Sequence, residues 1–188
     1  MKIKPATKRG RVIVELNRKD ESILGTSQNT YNKPTPFSLK DILVPIDFSD
    51  CSKKALRYAV PFAKQFGATI TLLHVVHVNY SAGPEFGAID FPLIEADLRK
   101  SAEKQLAELA ATEIQQQAPA QTLVRIGQEV AEIVDSARKL KSDLIIISTH
   151  GRTGLKHVFM GSVAENVIRR ATCPVLVVRE QEREFIGN

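Results

Sequence analysis

A chain of 188 residues, 43% of them hydrophobic, can bury one good core with an extension beside it, and none of its apolar runs approaches the ~20 residues of a membrane span. Its net charge of +5 is local: residues 1–40 hold nine Lys/Arg against three Asp/Glu, whereas the other 148 residues sum to −1. Cys51 and Cys173 make neither a disulfide framework nor a metal quartet, and MKIKPATKRGRVIVEL is too charged for a secretory signal, so free thiols in a reducing cytoplasm are expected.

Residues 1–38 read as a basic extension and linker, expected to be flexible. Within them Arg11–Leu16 (RVIVEL) can form a short strand, and Thr30–Ser38 (TYNKPTPFS) has linker composition. With only Tyr31 and Phe37 as aromatics, the basic segment reads as solvated rather than as a nucleic-acid contact.

From Asp41 the pattern alternates. Ile42–Asp47 (ILVPID) is a short apolar strand ending in an acid. Ser49 or Ser52 can cap the following helix, where Ala55, Leu56, Ala59, Val60, Ala63 and Phe66 recur at helical spacing. Pro61 should kink that helix and Gly67 end it. Thr69–Val76 (TITLLHVV) is β-branched and continuous, the mark of a strand buried on both faces.

Asn79–Phe91 reads as a loop. A long amphipathic helix follows to about Gln117, marked by Ile94, Leu98, Ala102, Leu106 and Leu109. Gln121–Ile126 is a strand, Ala131–Leu140 a helix, and Asp143–Ile147 a fourth strand. That strand stops at a small loop bearing Gly151. Nine residues later Gly161-Ser162 opens the amphipathic segment Val163–Arg170, and Val175–Val178 closes the unit. Ser162 with Glu165 reads as a capping box. Strand, glycine loop and helix start can present backbone N–H groups to an anion, although the glycine spacing alone favours an ordinary helix start that needs Gly for a turn.

Five strands alternating with four helices imply an open, largely parallel α/β sheet. Ligands of such sheets sit at the carboxyl ends of the strands, where strand order reverses. If the first and fourth of these strands are neighbours, Asp47 and Ser148–Gly151 face one crevice; connectivity alone leaves that neighbour relation open.

The segments DILVPIDFSDCSKKAL, TLLHVV and STHGRTGLKHVFMGSVAENVIRRATCPVLVV together resemble the universal stress protein family over about Lys40–Arg179. Nucleotide-binding members carry Gly, two residues, Gly, nine residues, then Gly-Ser or Gly-Thr. Gly151, Gly161 and Ser162 fit, and Ser148 stands in the first glycine position.

The resemblance implies an α/β fold with an open five-stranded parallel sheet in the order 3-2-1-4-5. Helices cover both faces, as in the Rossmann-like adenine nucleotide α-hydrolase folds. It implies a domain over 39–180 followed by a tail, 181–188. It further implies that Pro45 and Asp47 border an adenosine, that Val75 offers backbone contacts to adenine, and that Ile147, Ser148, Gly151, Gly161, Ser162 and Val163 line ribose and phosphates. Ser148 either donates to the nucleotide or weakens the site. Arg152 and Lys156 either screen phosphate charge or are simply solvated.

The function so implied is a cytoplasmic stress-response protein that binds ATP, or AMP or ADP, with Mg²⁺ accompanying the phosphates and with slow hydrolysis at most. It would pair as a homodimer through the last strand. A nucleotide-free dimeric interaction module of the same fold is the alternative that Ser148 favours. A nucleotidyl transferase on a related fold is a third reading, which the absence of a His-x-Gly-His stretch opposes.

No Walker-type Lys-Ser/Thr follows the glycine loop, and no serine elbow stands with a His and an acid. His74 and His77 fall at a strand end, where structural or surface roles are expected rather than a metal site. His150 either shapes the loop or acts on a bound nucleotide.

Overall fold

The computed structural model describes residues 2–5, 12–15, 38–78, 91–149 and 160–181. The chain divides into two compact units, Met1–Phe37 and Ser38–Asn188. In the first, β1 (Lys2–Pro5) pairs antiparallel with β2 (Val12–Glu15). The strand read at RVIVEL is present; its partner, built around the single apolar Ile3 between two lysines, gave no such signal.

The second unit runs β3 (Asp41–Pro45), α1 (Asp50–Phe66), β4 (Thr69–Val76), α2 (Phe91–Leu109), a π-helical turn (Ala110–Ile114), β5 (Ala120–Ile126), α3 (Glu129–Leu140), β6 (Leu144–Ser148), α4 (Ser162–Arg170) and β7 (Val175–Val178). All neighbouring strands are parallel, in the order β5-β4-β3-β6-β7. Counted within this sheet alone, that is 3-2-1-4-5, as expected.

The strand period of two sorts the core onto two faces. Ile42, Val44, Ile70, Leu72 and Ile146 meet α1 and α2 through Ala55, Leu56, Ala59, Ala102 and Leu106. Leu43, Leu73, Ile145 and Ile147 meet α3 and α4 through Ile133, Ala137, Ala164 and Val167. Both faces are therefore covered, which is why Ile42–Val44 and Leu144–Ile147 read as unbroken apolar runs.

Of the two candidate caps for α1, Ser49 is the one used. Its Oγ accepts from the Ser52 N–H at 3.2 Å. Gly67 ends the helix at φ +67°, and its N–H returns to the Ala63 carbonyl. Pro61 lies on the exposed side of α1, and the helix runs on past it to Phe66.

Two expectations are corrected. The apolar period of α2 seats only Ala102, Leu106 and Leu109 in the core, while Ile94 and Leu98 are both 42% exposed. The N-terminal turns of α2 therefore reach past the sheet, toward the carboxyl ends of the strands.

The capping box at Ser162 is absent. Gly161, at φ −70° and ψ 149°, is the N-cap of α4, and no side chain among the described residues caps the helix. Its N–H is held by the Thr149 carbonyl at 2.7 Å, and its own carbonyl accepts from the Glu165 N–H, which moves the helix start one residue upstream of the hydroxyl.

Candidate functional site

Strand order reverses between β3 and β6, which pair through Ile42 with Leu144 and Leu43 with Ile145. The neighbour relation that connectivity left open is therefore present. Chains leaving the two strands diverge, and a cleft of about 490 Å³ opens over the carboxyl ends of the sheet. Pro45, Asp47, Val75, Ile147, Ser148, Gly161, Ser162 and Val163 all line it. Gly151, like His150, Arg152 and Lys156, lies outside the described residues.

The floor is set by β3 and β4. The Ile46 N–H donates to the Leu73 carbonyl at 2.8 Å, extending the ladder one residue beyond β3. Asp47 then leaves the sheet, and its Oδ1 accepts from both the Ser49 N–H (3.0 Å) and the Ser49 hydroxyl (2.6 Å). Phe48 makes the bend at φ +67°, a left-handed conformation that an aromatic residue adopts at a cost of order 1 kcal/mol.

The Phe48 ring packs against His74 with centroids 4.6 Å apart. His74 Nδ1 lies 2.7 Å from the Ile46 carbonyl. A carbonyl only accepts, so that nitrogen carries the proton and the imidazole acts as a brace for the bend. This is a structural role in the cleft wall, legible in the sequence only as a polar residue interrupting a buried strand.

The opposite end is set by β6 and α4. Ser148 closes β6 opposite Val178 and is almost fully buried. Among described non-glycine residues, positive φ occurs at Phe48, Gln115, Gln116 and Lys141, so Ser148 keeps an ordinary backbone. Buried Thr149 ties the turn down on both sides: its N–H donates to the Val178 carbonyl at 2.9 Å, and its carbonyl holds the Gly161 N–H.

The two helix starts over the cleft differ in kind. The serine and aspartate at the start of α1 satisfy one another and the Ser52 N–H. The start of α4 has no side-chain cap among the described residues, and Gly161 through Ala164 all border the cleft. Helix-start N–H groups without a cap need an acceptor from outside the helix, and the helix dipole favours a negative one.

Among described residues lining the cleft, the formal charges are those of Asp47 and Glu129, both acidic. Among the described residues, positive potential therefore rests on backbone N–H groups rather than on Lys or Arg side chains. No group of three His, Cys, Asp or Glu that could hold a metal occurs among the described residues. Further wall residues escaped the sequence reading, among them Ser101 and Gln105 of α2 and Glu129 of α3. Nothing in a polar helix face marks which turns will overhang a cleft.

The model of the universal stress protein family matches residues 38–179. A universal stress protein of Methanocaldococcus jannaschii is 35% identical over 164 residues, covering 87% of this chain and 91% of its own. The structure of the universal stress protein UspA from Lactobacillus plantarum aligns with a TM-score of 0.64 at 29% identity, over 76% of this chain and 99% of that one. Two more distant structures share the fold. One is a universal stress protein in complex with cAMP, at 22% identity and TM-score 0.54 over 76% of this chain and 98% of that one. The other, from Archaeoglobus fulgidus in complex with dAMP, has 23% identity and TM-score 0.51 over 75% of this chain and 98% of that one.

Proposed function

Because the chain belongs to the universal stress protein family, we propose that its cleft binds ATP and that the protein acts in stress response through nucleotide occupancy and protein contacts. The observation that carries this reading is the uncapped start of α4, opening into a cleft at the strand-order reversal. Phosphate oxygens accept from the N–H groups of that first turn and from the Ser162 hydroxyl. The nucleoside then extends away from α4 along the strand ends, past Ile147 and Ser148 toward Pro45, Asp47 and Val75. AMP and ADP fill the same space with fewer phosphates.

Gly151 belongs to the phosphate end in this reading by the family spacing, and the cations of Arg152 and Lys156 can screen phosphate charge. Mg²⁺ joins through the phosphate oxygens and offsets their charge. No side chain is assigned to bond breaking, so the proposed role is binding, with slow hydrolysis at most. The two related proteins holding cAMP and dAMP bear on the fold alone at their level of identity; the cleft's own donors support this ligand.

A nucleotide-free interaction module is the second reading, and Ser148 is its ground. Ser148 is the last residue of a strand with an ordinary backbone. A glycine is not needed there for conformation, and the hydroxymethyl group costs only space. This supports retained binding. Mass spectrometry of protein purified without added ligand separates the readings: co-purifying adenine nucleotide supports the first, and its absence from folded protein that also fails to bind ATP supports the second.

The phosphate assignment is tested at Gly161. Its φ and ψ suit any residue, so Gly161→Val should fold, with circular dichroism as the check. The isopropyl group fills space a phosphate needs, and ATP affinity should fall tenfold or more, about 1.4 kcal/mol at least. Unchanged affinity in a folded variant removes the assignment. A cytoplasmic location and a homodimer through the last strand complete the proposal.

A further inference from the structure

The cleft has two unlike ends, and the second bears on which base it takes. Phosphates at α4 place the base beyond β3, near β4, about 10 Å away at ~4.8 Å per strand. The middle turns of α2, a helix that packs on β4 and β5, border that end and contribute Leu98, Ser101, Ala102 and Gln105 to the wall. Leu98 and Ala102 offer a base an apolar face; Gln105 is the polar group among the four that reaches farthest from the helix.

The orientation of the Gln105 amide is fixed by its own helix. Its Nε2 donates to the Ser101 Oγ at 3.2 Å and, at a longer 3.5 Å, toward the Ser101 carbonyl. A backbone carbonyl cannot donate, so nitrogen rather than oxygen must face Ser101. Oε1 is thereby turned away from the helix as an acceptor, and no described residue donates to it.

We propose that Gln105 is a specificity-determining residue of this cleft, its Oε1 accepting from an exocyclic amine on the base and disfavouring a base with an oxo group in that position. The inference rests on the nucleotide reading above and deepens it. Adenine carries an amine at its 6-position, where hypoxanthine and guanine carry a carbonyl oxygen. Two acceptors facing one another repel, whereas Oε1 and an N–H₂ pair. The Ser101 hydroxyl acts through Gln105, holding the amide against the flip that would reverse the preference.

ATP and ITP isolate this atom, because the change from amine to oxo at the 6-position, with the proton it places on N1, is their sole difference. Isothermal titration of the full chain with each nucleotide should give a preference for ATP of about tenfold in the wild type. Gln105→Leu should reduce that preference to within about twofold of parity, weakening ATP by the lost acceptor and strengthening ITP by the relieved repulsion. Gln105→Lys, which offers a donor in place of the acceptor, should favour ITP. Because Gln105 is an exposed helical residue, both variants should fold, and circular dichroism verifies it.

A preference that survives Gln105→Leu, or a wild type that binds both nucleotides equally, overturns the assignment and leaves the nucleotide reading standing. A wild type that binds neither overturns both.

Discussion

At the scale of single residues, the two thiols show how burial sets chemistry. Burial pushes the Cys51 thiol pKa upward, and Glu180 and Asp47 add to the shift. Burial, followed by Asp143, does the same at Cys173. The thiolate is the nucleophile, so both should react with iodoacetamide at pH 8 more slowly in the folded protein than in the urea-unfolded chain. The sign carries over to stability. A folded-state thiol pKa above the unfolded value contributes stability that is full below the unfolded pKa and is lost as pH rises through the folded one. Timed labelling read by mass spectrometry checks this, and equal rates in folded and unfolded chains would contradict it. The same scale shows where residues mislead. Ser162 and Glu165 have capping-box spacing, yet Thr149, thirteen positions upstream, claims the Gly161 N–H and moves the cap. Glu165 turns instead to Arg169 at 3.0 Å.

At the scale of elements, strands were legible and helix faces less so. Thr69–Val76 and Val175–Val178 have the read boundaries because β-branched runs flanked by Gly or Pro leave little choice. The strand order was legible only through the family resemblance, since pattern says that strands exist and not which ones touch. Ile94 and Leu98 share the period of Ala102 and Leu106 but extend beyond the sheet, a distinction periodicity does not carry. The turn that ends α2 has no sequence mark, and Gln115 and Gln116 enter positive φ without glycine. The last strand makes a prediction of its own. β7 is a sheet edge, Val175, Leu176 and Val177 are each partly exposed, and an apolar edge invites pairing. Two copies related by a two-fold axis satisfy each other's backbone groups. Sedimentation should therefore show a dimer at micromolar concentration and a shift toward monomer in Val177→Lys. A wild type that sediments as a monomer excludes this interface.

At the scale of the molecule, the two compact units divide at Phe37 and Ser38. The basic excess sits with the first, and the cleft-lining residues all belong to the second. Removing residues 1–37 should leave the melting temperature within about 2 °C and ATP affinity within about twofold. It should also lower retention on a cation-exchange matrix in a salt-dependent way. Loss of folding on truncation would show that the β1–β2 pair supports the sheet. No helix among the described residues is long and apolar enough to cross a membrane.

The place of β3 has a consequence for how the protein comes into being. This strand is the first of the parallel sheet to leave a ribosome and the innermost once the sheet is complete. One of its edges is met early, when Asp41 finds Thr69. The other waits for Leu144 and Ile145, where the Asp143 carboxylate takes the N–H groups of Lys40 and Asp41 across 103 and 102 positions of chain. Pairing over such separations is slow, because the intervening loop must be ordered before its contacts repay the entropy. A growing chain thus carries half a crevice through most of its synthesis, and the helix start that would greet an anion emerges later still. Ligand held in that crevice stabilises the completed fold and no earlier one. Under the proposed function, chains that stall before α4 lack the helix start on which the phosphates would be held.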